Sequence, residues 1–541
     1  MKSPWKYQLK WILNFARPYR RVLWGYLLLE LTAVASGLLF VWWSKKAIDY
    51  AMAQDLADAR TVIIYFVIAA IIGLLCTRYS VWINQRVQTQ MLIQLQKQVL
   101  RAQMDARWDV TKHWHTGDMM IRINTDCREV VQVIAYTSIS TLVTLIRLLG
   151  AAALLYWLDP MLALLIMAVS PLIVLSKGYF KRMRKLNLAV KQAESTLGNV
   201  VQENLRFRLS IRALNLHTIR WKKVNESQDQ IYLIKMALLK YATRSQFIMK
   251  AAVQIGVITA FIWGVYRLQA GEITFGTLSA FLQLVSRIQG PVIALMGAAP
   301  LFIRFHTSMD RLQEIFLEDK ESIPPDDRLE DIEKLSLQDV CFSYDDNLVI
   351  DGLNAAFEKG KPTAIIGASG KGKTTLMRLL LALFPPTQGE INLFCNGQRH
   401  ALSARHRSNF AYVPQGEQLF TATIRENLQV NGNVFTDQEL HTALTTACAT
   451  FVYDLPQGLD TKLGESGYGL SEGQAQRIAI ARALLRGCRI WLFDEITSAL
   501  DPDTAVELTQ RLLKAGESHI LIFVTHDMQL ASACDQQVYL K

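Results

Sequence analysis

An eight-residue stretch in the C-terminal part of the chain decides the fold there: Gly367-Ala-Ser-Gly-Lys-Gly-Lys-Thr374. It matches the pattern G-x-x-x-x-G-K-[ST]. The run before it, Pro362–Ile366, predicts a strand, and the run after it, Thr375–Leu383, predicts a helix. In this arrangement the glycines let backbone N–H groups close around phosphates, and the helix N-terminus adds positive potential. The stretch therefore predicts an α/β P-loop domain that binds a nucleoside triphosphate.

The residue types of the loop predict individual roles. Lys373 should reach the β- and γ-phosphates, and Thr374 should ligate Mg²⁺. The other residues that we expect to contact the nucleotide belong to the loop or to the first turn of the helix: Gly367, Ala368, Ser369, Gly370, Lys371, Gly372 and Thr375.

A second chemical signal follows well downstream, in Ile490-Trp-Leu-Phe-Asp494-Glu495. Many strands end in acidic residues, so the signal is weak alone and becomes strong only after a P-loop. We expect Asp494 to hold Mg²⁺ through water and Glu495 to polarise the attacking water.

The rest of the chain has a different character. With 541 residues the chain is too long for a single core. Hydrophobic residues make up 51% and charged residues 19%, and the mean hydropathy is +0.16. The apolar residues are concentrated before about Phe305. This asymmetry predicts a membrane part followed by a soluble part.

Six stretches reach the length of about 20 apolar residues that a bilayer requires. Short gaps between them alternate with long, charged gaps of helical periodicity, and both long gaps are inside if the basic N-terminus is inside. The fourth stretch contains Pro171. We therefore predict an all-α six-helix transmembrane domain with these spans: Val22–Trp43, Thr61–Trp82, Ser138–Leu158, Leu162–Phe180, Phe247–Leu268 and Phe275–Phe302.

The net charge of +11 indicates a membrane surface rather than nucleic acid as partner. Its Lys and Arg residues gather where predicted spans meet water, which marks the cytoplasmic side. The seven cysteines show neither CxxC nor metal-ligand spacing, so we expect reduced, structural thiols. The first apolar stretch is too long for a cleavable signal peptide, and we expect it to remain as a span.

The run LSEGQAQRIAIARAL, which begins at Leu470, resembles the signature segment of ATP-binding-cassette (ABC) proteins. The motif order of that family is followed over 335–541. By this resemblance Tyr344 stacks on adenine, Gln415 is the Q-loop glutamine that also reaches the metal, and His526 is the switch histidine. Two further segments resemble the family's exporter-contact segment and its D-loop: Thr461–Gly467 and Ser498–Asp501.

The resemblance implies that Ser471, Gly473 and Gln474 contact ATP bound to the opposite subunit. The family usually has LSGGQ, whereas this chain has Glu472 in the middle position. A carboxylate that pointed at a triphosphate would be repelled. We expect Glu472 to face outward and favour active hydrolysis, with slower turnover or a different paired partner as alternatives.

The membrane part resembles six-helix exporters fused to their ATPase. The resemblance rests on Trp114–Asp126, with its TG-D and R-x-x-x-D patterns, on Gln202-Glu203, and on Gly271–Leu278. It implies a half-transporter that uses ATP and Mg²⁺ to export a lipid, drug or peptide by alternating access. A second half-transporter is then obligatory, with a homodimer favoured over a heterodimer. A bacterial inner membrane with a cytoplasmic ATPase domain is the expected location.

The expected domains are a cytoplasmic segment 1–21, a transmembrane exporter domain 22–308, a linker 309–334 and an ABC domain 335–541. Four polar residues inside the predicted spans are candidates for the transport pathway or, equally, for interhelical pairing: Glu30, Arg147, Gln283 and Arg287. The alternative function is a nucleotide-gated membrane regulator or channel with little ATP turnover, for which the complete set around Glu495 would be unnecessary.

Overall fold

The structure is a computed structural model that describes residues 5–111, 114, 116–164, 166, 177–321, 327–344, 347–368, 370–416, 419–429, 432, 434–464 and 469–540. The chain divides into two compact units. The membrane unit comprises residues 1–104 and 114–317, and the ATPase unit comprises residues 105–113 and 318–541. Each unit is described by itself.

The membrane unit is built from helices, several of which are far longer than a bilayer requires. Helices α3 and α10 have 50 and 53 residues, whereas about 20 residues cross the hydrocarbon core. The described helices of this unit are α1 (Trp5–Ala16), α2 (Arg20–Met52), α3 (Leu56–Asp105), α5 (Thr116–Ile121), α6 (Cys127–Gln132), α7 (Ser138–Leu158), α8 (Lys177–Arg206), α9 (Arg208–Ala213), α10 (His217–Gln269) and α11 (Phe275–Leu317). One π-helical turn connects α5 to α6, and a second connects α6 to α7.

Within the described residues, three helical segments are long and apolar enough to cross a membrane: Gln8–Met52, Ala57–Asp105 and Gly117–Leu158. They contain the first three predicted spans. The fourth predicted span lies mostly outside the described residues, as does Pro171. The fifth and sixth predicted spans lie within the long helices α10 and α11.

The start of α11 packs closely against α2. Asp49 of α2 accepts a hydrogen bond from the backbone N–H of Gly276, at 3.1 Å. A Cβ atom at Gly276 would collide with the backbone carbonyl of Lys45 and with the Asp49 carboxylate. The glycine in the stretch that resembles the exporter entry to the sixth span is therefore required for this contact.

Away from the apolar spans, a network of charges joins α5 and the following turn to α11. Arg122 is buried, donates to Asp118 at 2.7 Å and to Glu314 at 2.8 Å, and also donates to the backbone carbonyl of Arg311. Arg311 pairs in turn with Asp118 and with Asp126. The TG-D and R-x-x-x-D patterns thus place Asp118, Arg122 and Asp126 in one ion-pair network.

The ATPase unit contains a four-stranded antiparallel sheet and a five-stranded parallel sheet. Their strand orders are β2-β1-β4-β5 and β6-β7-β8-β3-β9. The predicted strand before the P-loop is β3, and the predicted acidic strand is β7. The strands are β1 (Ile332–Tyr344), β2 (Asn347–Glu358), β3 (Thr363–Ile366), β4 (Gln388–Cys395), β5 (Gln398–Ala401), β6 (Phe410–Val413), β7 (Ile490–Asp494), β8 (Ile520–Val524) and β9 (Gln536–Tyr539).

Helices cover the parallel sheet, whose strands β7 and β8 are buried along their whole length. Fully buried strands of this kind are typical of α/β domains. This is the α/β domain predicted from the P-loop. The described helices of the ATPase unit are α4 (Trp108–Thr111), α12 (Lys373–Leu380), α13 (Ile424–Leu428), α14 (Asp437–Thr446), α15 (Glu472–Leu485), α16 (Pro502–Ala515) and α17 (Met528–Ser532). The short helix α4 is among them because residues 105–113 belong to this unit.

The segment between the last long helix and the first strand is shorter than the predicted linker 309–334. Helix α11 continues to Leu317, and β1 begins at Ile332. Within the ATPase unit, Arg407 donates to both carboxylate oxygens of Glu321, at 2.6 and 2.7 Å. Arg328 donates to the carbonyls of Arg486 and Gly487, so both described ends of this segment are held.

Candidate nucleotide-binding site

The predicted nucleotide-site residues come together because the strands that precede them are parallel neighbours. The P-loop follows β3, the pair Asp494-Glu495 lies at the end of β7, Gln415 follows β6, and His526 follows β8. The carboxyl ends of parallel strands meet at one edge of a sheet, which is where α/β proteins bind ligands. Side chains from four segments that are distant in sequence therefore lie together at the carboxyl edge of the parallel sheet.

The P-loop needs two of its glycines for conformational reasons. Gly370 has φ +85° and Gly372 has φ +87°, values that other residues rarely adopt. Gly372 also forms the N-cap of α12, and a Cβ there would be 3.0 Å from the Val349 side chain. Backbone N–H groups at the start of α12 have no partner within the helix, so they can bind an anion. Ser369, one of the predicted contacts, lies outside the described residues.

Glu495 is the centre of the site. Its carboxylate accepts a hydrogen bond from Gln415 Nε2 at 2.6 Å. Lys373 Nζ lies 3.6 Å and His526 Nδ1 lies 3.4 Å from its Oε1 atom. All three predicted catalytic residues and the P-loop lysine thus meet around one carboxylate. Lys373 also donates to the carbonyl of Gly367 at 2.8 Å, which keeps its ammonium group at the mouth of the loop.

The backbone of Glu495 is unusual and well supported. Its φ is +49°, in the left-handed region. Its N–H donates to the carbonyl of Val524 on β8 at 2.8 Å, and its carbonyl accepts from Gln476 Nε2 and Ser498 Oγ. Gln476 was not predicted from the sequence, although it lies in the signature helix. It links α15 directly to the residue at the centre of the site.

Asp494 and Glu495 have different surroundings although they are adjacent. Asp494 is 6% exposed, and burial raises its pKa to about 6, with the Glu495 carboxylate adding to the increase and Lys373 opposing it. A nearby cation would favour the ionised form. The oxygen donors of Asp494, Thr374 and Gln415 are of the kind that Mg²⁺ prefers. In the described parts of the chain no cluster of three or more His, Cys, Asp or Glu residues could hold a metal alone.

Tyr344 lies in a separate aromatic cluster on the antiparallel sheet. Its ring makes edge contacts with Phe342 and Phe384, at centroid distances of 4.9 and 5.6 Å. Its hydroxyl accepts a hydrogen bond from Arg378 Nη1 at 3.1 Å. Since Arg378 is on α12, which starts at the P-loop, Tyr344 is tied to the nucleotide-binding helix through that side chain.

The signature residues form the N-terminus of α15. The Ser471 hydroxyl accepts from the N–H of Gln474 at 3.2 Å, and the Gln474 side chain accepts from the N–H of Ser471 at 2.9 Å. This is a capping box. Gly473 is buried, and a Cβ there would be 2.6 Å from the carbonyl of Ala499. Glu472 is exposed, as is Ser471, and its orientation relative to an ATP molecule on an opposite subunit stays a prediction.

The predicted D-loop also has a structural role. Asp501 caps α16 by accepting from the N–H of Thr504 at 2.9 Å, and Ser498 bonds the backbone of Glu495. The loop therefore connects the end of β7 with the next helix. Part of the predicted exporter-contact segment, residues 465–467, lies outside the described residues.

The four polar residues predicted within the spans have different surroundings. Glu30 accepts a hydrogen bond from Ser80 Oγ at 2.7 Å. Gln283 donates to Ser44 Oγ at 3.3 Å. For these two, the structure shows the interhelical pairing that the sequence left open. Arg147 and Arg287 line a cavity.

Comparisons with known proteins agree with both units. Residues 23–292 match the ABC transporter transmembrane region family, and residues 350–498 match the ABC transporter family. An ATP-dependent lipid A-core flippase of Syntrophus aciditrophicus is 26% identical over 79% of this chain and 72% of its own length. The pediocin PA-1 transport/processing ATP-binding protein of Pediococcus acidilactici is 26% identical over 88% of this chain and 67% of its own length.

The solved structure of a bacterial Atm1-family ABC exporter with ATP bound has the same fold. The TM-score is 0.82 at 22% identity, and the match covers 96% of this chain and 94% of that one. The matches span both the helical unit and the ATPase unit in the order predicted from the sequence. The chain therefore belongs to the ABC transporter family and is an ATPase-coupled ABC exporter, an integral membrane protein whose transmembrane region and ATP-binding domain are fused in one polypeptide.

Proposed function

We propose that this protein is a dimeric half-transporter that hydrolyses ATP at Glu495 to export an amphipathic or hydrophobic substrate. The observation that supports hydrolysis most directly is the convergence of Lys373, Gln415 and His526 on the Glu495 carboxylate. A regulator that only binds ATP would have no need of a complete set. This is the reason to prefer an active exporter over the nucleotide-gated channel.

The roles of the site residues follow from their chemistry. Lys373 and the P-loop amides neutralise the phosphates, and Glu495 accepts a hydrogen bond from the attacking water and orients it. Gln415 and His526 already contact Glu495 and can hold its carboxylate while the γ-phosphate is present. Mg²⁺ would be held by Thr374, Gln415 and Asp494, and it would supply charge neutralisation at the phosphates.

The signature supports a dimer. Ser471 and the amides at the start of α15 offer a second anion-binding helix end, and by resemblance they act on the ATP of the opposite subunit. ATP would then join two ATPase units, and hydrolysis would release them and drive alternating access by rigid-body motion. We favour a homodimer, because one chain carries one complete catalytic set and one signature. We favour a bacterial inner membrane as its location, because the relatives named above are bacterial proteins.

The substrate class rests on the relatives and on the membrane unit. One relative is named as a lipid A-core flippase and another as a pediocin transport/processing protein. Lipid A-core and pediocin are different kinds of molecule, and each name states the substrate of that relative and not of this chain. For this chain we propose an amphipathic or hydrophobic lipid, drug or peptide.

The test is the variant Glu495→Gln in the full-length protein reconstituted in lipid nanodiscs. A glutamine keeps the size of the side chain but is a far weaker base, so steady-state ATP hydrolysis should fall by about 100-fold or more. ATP binding, measured with a fluorescent nucleotide, should be retained. ATP should also shift the variant toward the dimer in mass photometry.

The matched control is Glu507→Gln on the exposed side of α16, where Glu507 pairs with Arg511. Its hydrolysis rate should equal that of the wild type. If the wild type binds ATP without turnover, and Glu495→Gln changes nothing, the protein is a nucleotide-gated regulator and the proposed export mechanism is rejected.

A further inference from the structure

The membrane unit contains a cavity of about 420 Å³ between four helices. Helices α2, α3, α7 and α11 all contribute to its lining. Most of the lining is small or apolar, with three hydroxyl groups from Thr77, Thr144 and Ser286. The two charged residues in the lining are both basic, namely Arg147 of α7 and Arg287 of α11. Each of these arginines lies near the middle of a predicted span.

Neither arginine is neutralised by a carboxylate in the described part of the chain. The arginines of the membrane unit that form ion pairs there are others: Arg122, Arg220, Arg267 and Arg311. Glu30, the one acidic residue among the four candidates within the predicted spans, accepts a hydrogen bond from Ser80 Oγ. Two like charges in an apolar environment repel each other and are costly to keep there without a counter-charge.

The guanidinium group of Arg287 is packed against helix α2. It lies over Gly37 of α2, where a Cβ would be 2.6 Å from Arg287 Nη1. Pro291, which also lines the cavity, has no N–H, so it cannot donate to the carbonyl of Arg287 one turn earlier. The arginine therefore lies at a turn of α11 with a missing helix hydrogen bond.

We propose that Arg147 and Arg287 bind the anionic group of the exported amphiphile, a phosphate or carboxylate, inside this cavity. The planar fork of a guanidinium group matches both anions, and hydrogen bonds between opposite charges are stronger than neutral ones. The apolar lining would accept the adjoining hydrocarbon part of the same molecule. This inference rests on the proposed export function and narrows its substrate class to anionic amphiphiles.

The test compares two probes of equal chain length, dodecyl phosphate and the zwitterionic dodecylphosphocholine. Binding to the nucleotide-free wild type is measured by calorimetry, and ATPase stimulation is measured in phosphatidylcholine nanodiscs by ADP release. Dodecyl phosphate should bind more tightly. Arg147→Gln and Arg287→Gln should each weaken its binding by about tenfold, which corresponds to the loss of one charged hydrogen bond.

Further variants keep the test valid if a glutamine variant does not fold. Arg287→Lys preserves the charge and should lose less affinity than Arg287→Gln. Gly37→Ala displaces the guanidinium group without changing any charge and should also weaken dodecyl phosphate binding. The matched control is Arg60→Gln, an exposed arginine at the beginning of α3 outside the cavity, which should bind as the wild type does.

Two additional measurements distinguish whether the bound anion is a lipid headgroup or a free anion. If phosphatidylglycerol in the nanodisc stimulates the wild type but not the double variant Arg147→Gln/Arg287→Gln, the ligand is a bilayer lipid headgroup. If inorganic phosphate displaces dodecyl phosphate, the cavity recognises the anion alone. Both results support the anion site, whereas equal losses for both dodecyl probes, or no loss in either arginine variant, would overturn it.

Failure of this inference is distinguishable from failure of the proposed function. Calorimetry needs no ATP turnover, so an inactive protein can still show the arginine-dependent binding. A protein that hydrolyses ATP in a Glu495-dependent way, yet binds dodecyl phosphate equally well in all arginine variants, keeps the proposed function and loses the anion site.

Discussion

The two units arrange their charged side chains in different ways. In the ATPase unit, four segments distant in sequence bring Lys373, Gln415, Glu495 and His526 together, because each segment follows a strand of the same parallel sheet. In the membrane unit, charges on long helices meet or miss one another according to the rotation of each helix. At the edge of a parallel sheet, the strand order determines which residues lie together. In a helix bundle, the packing and rotation of the helices determine it.

The largest expected effect tests how much of the ATPase unit depends on close backbone packing. Gly473→Ala would place a methyl group 2.6 Å from the carbonyl of Ala499. That atom is backbone and cannot move without shifting the segment that follows Glu495. We expect ATP hydrolysis to fall by about 100-fold, in the range seen when a catalytic group is misplaced, as measured by phosphate release in nanodiscs.

The neighbouring position provides the matched comparison. Glu472 is exposed at the start of α15, so Glu472→Gly removes a carboxylate without altering any packing. Loss of that negative charge should tighten ATP binding by a factor of about three or less, the size of an exposed electrostatic interaction. If Gly473→Ala were fully active, the close contact with Ala499 would have no functional importance.

Much of the ATPase unit could be predicted because its motifs have a fixed structural context. The strand before the P-loop and the acidic strand β7 were both expected, and the structure contains them. Gln476 could not be identified, because its contact is to a backbone carbonyl that depends on the left-handed conformation of Glu495. Such a contact leaves no spacing signal in the sequence.

The membrane unit was predictable in its helices and less so in its side-chain partners. Spans follow from hydropathy, which depends on composition alone. Whether Glu30 lines the transport pathway or pairs with another helix depends on helix rotation, and the sequence leaves both open. The extent of α11 was also not evident, since its last turns to Leu317 carry charged residues that resemble a linker in composition.

An intermediate effect is expected from breaking the ion-pair network of the membrane unit. Arg122 is buried and bonds Asp118, Glu314 and the carbonyl of Arg311. Arg122→Gln removes the charge that holds α5 to α11. Since the carboxylates of Asp118 and Glu314 are partly exposed to solvent, the loss should cost about 1–3 kcal/mol, the range of hydrogen bonds to charged groups. The melting temperature of the detergent-solubilised protein should therefore fall by several degrees.

Arg128→Gln is the control for this substitution. Arg128 lies on the next helix, α6, and is exposed, so its replacement should leave the melting temperature unchanged. Nucleotide affinity should be the same in both variants, because the P-loop belongs to the other unit. Equal melting temperatures for Arg122→Gln and the wild type would mean that the network contributes no stability.

The smallest effect is expected at Glu30, and it sharpens the distinction between paired and unpaired charges within the membrane unit. Glu30 Oε1 accepts from Ser80 Oγ at 2.7 Å, and Ser80 also donates to the carbonyl of Thr77. The amide oxygen of a glutamine can accept the same bond from Ser80. Glu30→Gln should therefore change dodecyl phosphate binding by less than about twofold, as expected for a charge that makes no direct ion pair with the ligand site.

The alternative outcome at Glu30 would be informative because its sign is fixed by electrostatics. A carboxylate that neutralised Arg147 or Arg287 would compete with an anionic ligand, so its removal would tighten dodecyl phosphate binding several-fold. Calorimetry on Glu30→Gln beside Arg287→Gln separates the two cases. An increase in affinity would make Glu30 part of the cavity's charge balance, whereas an unchanged affinity leaves the two arginines as the groups that an anionic substrate must satisfy.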